Sequence, residues 1–219
     1  MDTASTNRVQ FVRDLEQNNS LFLLRGSFSS AFISCLTPEE TCQVLDLDFH
    51  QEPRTRHRIL RKIERDIEDQ GFKECHYQLV DKLLGVIGTL PYNKKQGGGH
   101  CLSYLYDFAP PDIQHRLLRF FLDSKYVILR RRAYKKLRAD WDASYQERIE
   151  EAWNVHHDSD CARLIIDRFP VEYLIEHFFE LLESVEESWH STKLYLRMSM
   201  VDHSKLEHLS ATDEMGFPR

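Results

Sequence analysis

The chain has 219 residues, 42% hydrophobic and 29% charged, with only 8 glycines and 7 prolines. That is the composition of a folded domain rather than a disordered or collagen-like chain, and the scarcity of Gly and Pro favours long elements over frequent tight turns. The net charge of −6 is unevenly spread: up to Asp140 there are 22 basic against 18 acidic residues, and after it 7 against 17. Such polarity bears on partners and encounter rather than on fold.

The five cysteines, Cys35, Cys42, Cys75, Cys101 and Cys161, are odd in number and widely spaced. They argue against a disulfide scaffold and for reduced thiols in a cytoplasmic setting. Met1 to Glu16 has no long apolar run, so a secretory signal is not expected. No stretch approaches the ~20 apolar residues of a membrane span, so no membrane partner is expected either.

In chain order, the first helix is expected over Thr6 to Gln17. A second apolar stretch runs from Ser20 to Leu36, broken near Gly26. Thr37-Pro38-Glu39-Glu40 has the form of a helix start: Thr37 caps, Pro38 suits the first turn and Glu40 completes a capping box. That helix is expected to end near Asp48. Arg54 to Gln70 repeats Ile59, Ile63 and Ile67 every four residues and stops at Gly71. Lys73 to Leu90 follows, with Leu79, Val80, Leu83, Leu84 and Ile87 on its apolar side. Tyr92 to His100 contains Gly97-Gly98-Gly99 and is the candidate hinge of an otherwise single helical domain over 1–209.

Seven further helices are expected: Cys101 to Phe108, Asp112 to Leu122, Lys125 to Trp141, Ser144 to Val155, Asp160 to Phe169, Val171 to Glu187 and Trp189 to Val201. The residues 210–219 form a polar tail expected to be loose. No segment alternates with β-branched residues, so the predicted class is all-α, without sheet.

Ala133 with Leu137 recurs as Ala162 with Ile166, 29 residues on. The segments Ala133-Tyr134-Lys135-Lys136-Leu137 and Asp160-Cys161-Ala162-Arg163-Leu164 resemble the second helix of HEAT-type repeats, where a small residue lets paired helices approach closely. The resemblance covers roughly Asp112 to Met200 and, more weakly, Arg54 to Leu90. It implies stacked antiparallel helix pairs, an α-solenoid; a non-repeating helical bundle is the alternative. HEAT-like proteins are mostly interaction scaffolds, a minority bind nucleic acid, and one small bacterial branch consists of DNA glycosylases, so the fold alone does not choose.

Two basic stripes are the strongest candidates for a binding surface. Arg54, Arg58, Arg61 and Arg65 share one helix face. Arg130, Arg131, Lys135 and Arg138 form the second run, in which Arg131, Lys135 and Arg138 share a face. The first stripe sits toward the N-terminal half of its helix, with Glu64, Asp66, Glu68 and Asp69 behind it, the reverse of what the helix dipole favours. Both point to an anionic partner: another protein in the first reading, nucleic acid in the second. Against nucleic acid stands a pI near 6.0. An acidic stripe, Glu172, Glu176, Glu180, Glu183 and Glu187, offers a second charged surface.

Enzymatic readings are weaker. His156-His157-Asp158 resembles the doublet of the all-helical HD phosphohydrolases, but the further His and Asp of that family have only His115 and Asp202 as candidates, in contexts that match no pattern. Cys75-His76 and His100-Cys101 are adjacent pairs, unlike the spaced ligands of structural zinc sites, and are expected to be buried thiols and surface histidines. No catalytic residue, cofactor or metal is assigned. Trp141, Trp153 and Trp189 sit at positions consistent with packing. The expected function is therefore non-catalytic macromolecular binding, as a scaffold, adaptor or inhibitor. Nucleic-acid binding or repair, and metal-dependent hydrolysis, are the alternatives.

Overall fold

The computed structural model describes residues 3–18, 27–45, 53–185 and 188–200. Among them are thirteen α-helices, one short 3-10 turn and no strand. The chain divides into two compact units, Met1–Phe120 and Phe121–Arg219, and not at the expected hinge.

The first unit opens with α1 (Thr3–Gln17), α2 (Ser27–Ser34) and α3 (Pro38–Val44). The capping box at α3 is as the sequence predicts: Glu40 N–H donates to Thr37 Oγ1 at 3.2 Å and Thr37 N–H to Glu40 Oε2 at 2.8 Å. Glu40 is nearly fully buried, and the same oxygen also takes a 3.1 Å bond from Arg8 of α1. One carboxylate thus caps α3 and ties α1 to it. The α3 helix ends at Val44; the expected extension to Asp48 lies outside the described residues, as do Asn19 to Gly26.

α4 (Pro53–Gln70) buries Ile59, Leu60, Ile63 and Ile67, the predicted stripe. It ends at Gly71, whose φ of +78° lies in the left-handed region that glycine enters without a Cβ clash. α5 (Glu74–Ile87) buries Leu79, Val80, Leu83 and Ile87.

The expected hinge is helix. α6 (Tyr92–Tyr106) begins directly after Pro91 and includes Gly97, Gly98 and Gly99, all buried. The reason is close approach: a Cβ placed on Gly98 would lie 3.2 Å from Ile87 Cδ1. Gly98 thus lets α6 lie against α5, and tertiary packing there offsets the ~1 kcal/mol that a glycine costs a helix interior relative to alanine. Residues in this unit pack helix on next-but-one helix, α1 with α3, α3 with α5, α2 with α4 and α4 with α6, cross-linked by α3 with α4 and α5 with α6. α7 (Pro111–Leu122) runs across the division between the units.

In the second unit, α8 (Val127–Ala139) and α9 (Gln146–His156) are joined by a 3-10 turn at Ala143–Tyr145. α10 (Ser159–Arg168), α11 (Val171–Glu176), α12 (Phe178–Ser184) and α13 (Trp189–Ser199) follow. The single helix expected over Val171 to Glu187 is kinked at His177, where φ and ψ are −109° and 20°. Hydrogen bonds run through the kink, from His177 N–H to Tyr173 O at 3.1 Å and from Leu181 N–H to His177 O at 3.0 Å. Next-but-one packing recurs, α8 with α10, α10 with α12 and α11 with α13. Ala133 and Ala162, the repeated small residues, are both fully buried, as is Trp153. Trp141 packs on Phe169 with ring centroids 5.8 Å apart, but Trp189 is 67% exposed, against the expectation that it packs. The tail 210–219 lies outside the described residues. No helix among the described residues is long and apolar enough to cross a membrane.

Candidate anion-binding groove

The second basic run splits in two, and the split follows from helix geometry. Leu129, Arg130, Ala133, Tyr134 and Leu137 form the buried face of α8. Arg130 is therefore not a surface residue, as the sequence suggested, but 4% exposed. Its guanidinium grips Asp158 with two bonds, Nε to Oδ2 at 2.6 Å and Nη2 to Oδ1 at 2.8 Å, and gives Nη1 to Ser124 O at 2.7 Å. The Tyr134 hydroxyl adds a third bond to Asp158, at 3.0 Å. The planar fork of arginine suits this bidentate grip, and a buried carboxylate with three donors is well satisfied. Burial, more than the neighbouring Cys161 and Asp158, pushes the Tyr134 phenol far above its ordinary range.

This arrangement also disposes of Asp158. It stands at the N-cap position of α10 yet makes no capping bond, because its oxygens face α8. His157 beside it is exposed, closes α9 in a left-handed conformation at φ 45°, and sets its ring edge against Trp153, with centroids 4.8 Å apart. The His157-Asp158 doublet thus works as a helix terminus and an internal ion pair; Asp202 lies outside the described residues.

The other face of α8 carries Arg131, Lys135 and Arg138. With Tyr134 they line one side of a groove of about 420 Å3 whose opposite side is Asp160 and Arg163 of α10. Asp160, Arg163 and Asp167 recur at i, i+3 and i+7, matching the i, i+4, i+7 of the α8 cations. Arg131 Nε pairs with Asp160 Oδ2 at 2.6 Å and Arg163 Nη1 reaches Asp160 Oδ1 at 3.4 Å. Arg138 Nε faces Asp167 Oδ2 at 3.3 Å, and Lys193 of α13 donates to the other oxygen of Asp167 at 2.6 Å. Four cations thus share one groove with the single carboxylate of Asp160, and Asp167 behind it is shared among Arg138, Lys193 and His190. Arg131 is 62% exposed, so its head group is available to a ligand as well as to Asp160. Lys135 is exposed and has no ion-pair partner among the described residues. Arg163 is the groove residue that the sequence reading did not select; its signal was the stripe on α10 complementary to that on α8, which only becomes meaningful once the two helices are known to pack.

The first basic stripe lies on α4 in the first unit. Arg54, Arg61 and Arg65 are exposed and Arg58 is half-buried. Arg61 is paired with Glu64 at 2.8 Å, and Glu64 also accepts the Tyr104 hydroxyl of α6 at 2.6 Å. Tyr104, ahead of Arg61, holds the Glu64 carboxyl below its ordinary value, burial acting the other way. In return, burial and Glu64 push the Tyr104 phenol up to about 12. Lys62 pairs with Asp66 along the helix. The reversed charge order of α4 is thus partly answered by pairs within the helix and by α6. The acidic residues Glu172, Glu176, Glu180 and Glu183 are exposed, as expected of a solvated face.

Among the described residues, one set has metal-ligand chemistry and mutual reach: Cys42 of α3 with Cys75 and His76 of α5, whose sulfur and ring-nitrogen atoms lie within 4.8 Å of one another. The expectation of a surface histidine fails here, since His76 is fully buried. Cys101 is buried and His100 half-buried, and Cys75 associates with Cys42 instead. Burial pushes both Cys42 and Cys75 thiols up from their ordinary value and His76 down.

Comparison with known protein families, curated proteins and solved structures finds no match.

Proposed function

We propose that this chain is a non-catalytic binding protein that recognises an acidic segment of another protein in the groove between α8 and α10. The observation that carries this reading is the convergence of Arg131, Lys135, Arg138 and Arg163 on one concavity that holds a single carboxylate. Cations gathered on one groove present their charge together, which serves the steering of an anionic partner. The next-but-one helix packing and the buried Ala133 and Ala162 support a HEAT-like stack, whose relatives are commonly interaction scaffolds. The odd number and wide spacing of the five cysteines support a reducing, cytoplasmic setting.

Charge favours protein over nucleic acid as the partner. Phe121 to Arg219 carries 19 acidic against 14 basic residues. The net negative charge of this half of the chain disfavours a long polyanion more than a short acidic segment. The test is affinity capture from source-cell lysate with and without nuclease, using Arg131→Glu/Lys135→Glu as control. The expected result is a nuclease-resistant protein partner that the double variant loses. Recovery of nucleic acid, or loss of partners on nuclease treatment, supports the nucleic-acid reading instead; there affinity would fall steeply and linearly in log–log with salt.

A further inference from the structure

Cys42 and Cys75 come from different helices, 33 positions apart, and nothing in their separate sequence contexts marks them as a pair. The packing of α3 on α5 brings them together, and His76 follows Cys75 into the same interior. Two thiols and an imidazole are the donor types that select zinc-like divalent ions, and a spread of no more than 4.8 Å needs little contraction to close on one ion, given metal–ligand bonds of about 2.0–2.3 Å.

A second observation concerns the buried polar atoms beside the cluster. His76 is 0% exposed, its Nδ1 accepts the Lys73 N–H at 2.9 Å, and its Nε2 is buried with no hydrogen-bond partner. A buried imidazole nitrogen without a partner is costly, and native interiors rarely leave one so. Asp66, 5% exposed, has its Oδ2 in the same state. Access exists: a groove of about 240 Å3 runs past Cys42 and Cys75, bordered by Arg13, Glu39, Gln43 and Lys82.

We propose that Cys42, Cys75 and His76 form a binding site for a zinc-type divalent cation, with the fourth position turned to the groove and open to water or Glu39. The balance is simple. The two thiols lose their protons to solvent, the ion takes two thiolates and one neutral imidazole, and two negative charges cancel its two positive ones. With water in the fourth position the filled site is neutral, and with Glu39 there it carries one negative charge; either suits a buried position far better than an isolated divalent ion would. Coordination through Nε2 moves the ring proton to Nδ1, so the Lys73 N–H bond to Nδ1 is given up when metal enters. Metal occupancy therefore loosens the first turn of α5 while cross-linking it to α3.

The experiment uses the full chain, first purified without chelator for elemental analysis, then stripped and titrated with Co2+, with free thiols counted before titration. The expected result is one equivalent of zinc in the untreated protein and, for cobalt, a thiolate-to-metal charge-transfer band together with the visible absorption of tetrahedral Co2+. Cys75→Ser, at a half-buried position and checked for native helix content by circular dichroism, is expected to weaken cobalt binding at least tenfold and to reduce the charge-transfer band. His76→Gln is expected to weaken binding while keeping that band. Cys35→Ser, at an exposed cysteine away from the cluster, is expected to change nothing. Absence of both bands overturns the proposal, as does a spectrum lost in Cys35→Ser and kept in Cys75→Ser, or a Cys42–Cys75 disulfide in place of free thiols.

Discussion

Removing the carboxylate of Asp158 tests the internal logic of the second unit most sharply. Asp158→Ala deletes three hydrogen bonds at once, two from Arg130 and one from Tyr134. What remains is a guanidinium 4% exposed whose only remaining bond is from Nη1 to Ser124 O. Breaking a buried pair by removing one partner costs about 3–5 kcal/mol, since the surviving charge stays desolvated. The retained bond to Ser124 places this site near the lower end, at ~3 kcal/mol. With a urea slope of ~2 kcal/mol/M, the unfolding midpoint falls by about 1.5 M. The assay is tryptophan fluorescence, because Trp141, Trp153 and Trp189 all lie beyond Phe120 and report the second unit alone. A cycle completes the test: in Arg130→Met/Asp158→Ala no unpaired charge is left, so the double variant is expected to cost about 2 kcal/mol less than the sum of the single ones. A loss below ~1 kcal/mol for Asp158→Ala, or additive single effects, would refute the account of Arg130 and Asp158 as a coupled buried pair.

Three further outcomes are expected. Tyr104→Phe removes the donor that contributes most to holding the Glu64 carboxyl below its ordinary value, so Glu64 should titrate at higher pH in the variant by carbon-13 NMR. For this depressed acid the folded-state contribution is fully present above the ordinary carboxylate range and is lost as pH falls through the depressed value; Tyr104→Phe should therefore have a smaller acid-side loss, and an unchanged Glu64 titration would refute the link. Gly85→Ala, in α5 with nothing near the added Cβ, should stabilise by about 0.5–1 kcal/mol, whereas Gly98→Val, whose Cβ meets Ile87 at 3.2 Å, should destabilise by about 1–3 kcal/mol; equal effects in thermal unfolding would mean that Gly98 is no close-packing residue. Thr37→Ala removes the Oγ1 acceptor of the α3 capping box and should cost ~1 kcal/mol in circular-dichroism melts, with no loss indicating that Glu40 and Arg8 suffice to hold α3.

Much of the secondary structure was legible because its causes are local. The Ile59, Ile63 and Ile67 spacing, the Thr37 to Glu40 capping box and the stop at Gly71 each act within a few residues, so the string of residues determines them. The all-helical class follows from the same local signals. The glycine run at 97–99 misled because glycine is ambiguous by itself: it loosens a chain left in solvent and permits close contact in a chain that is packed, and Ile87 of the neighbouring helix makes the difference. The basic run of 130–138 was recognised as charged, but which member faces inward was decided by Asp158, 28 residues away.

What the sequence determined by itself is the class, most helix positions, and the charge available to a partner. Tertiary structure alone decided which charges are spent internally and which face outward. It set Arg130 against Asp158 in the interior, left Arg131, Lys135 and Arg138 on the groove opposite Arg163, and brought Cys42 beside Cys75 and His76. The physical reason is that helix periodicity fixes a side chain's direction only relative to its own axis. Whether that direction holds solvent, an opposite charge or another ligand-forming group depends on which second helix lies there, and that is settled by packing across the whole unit.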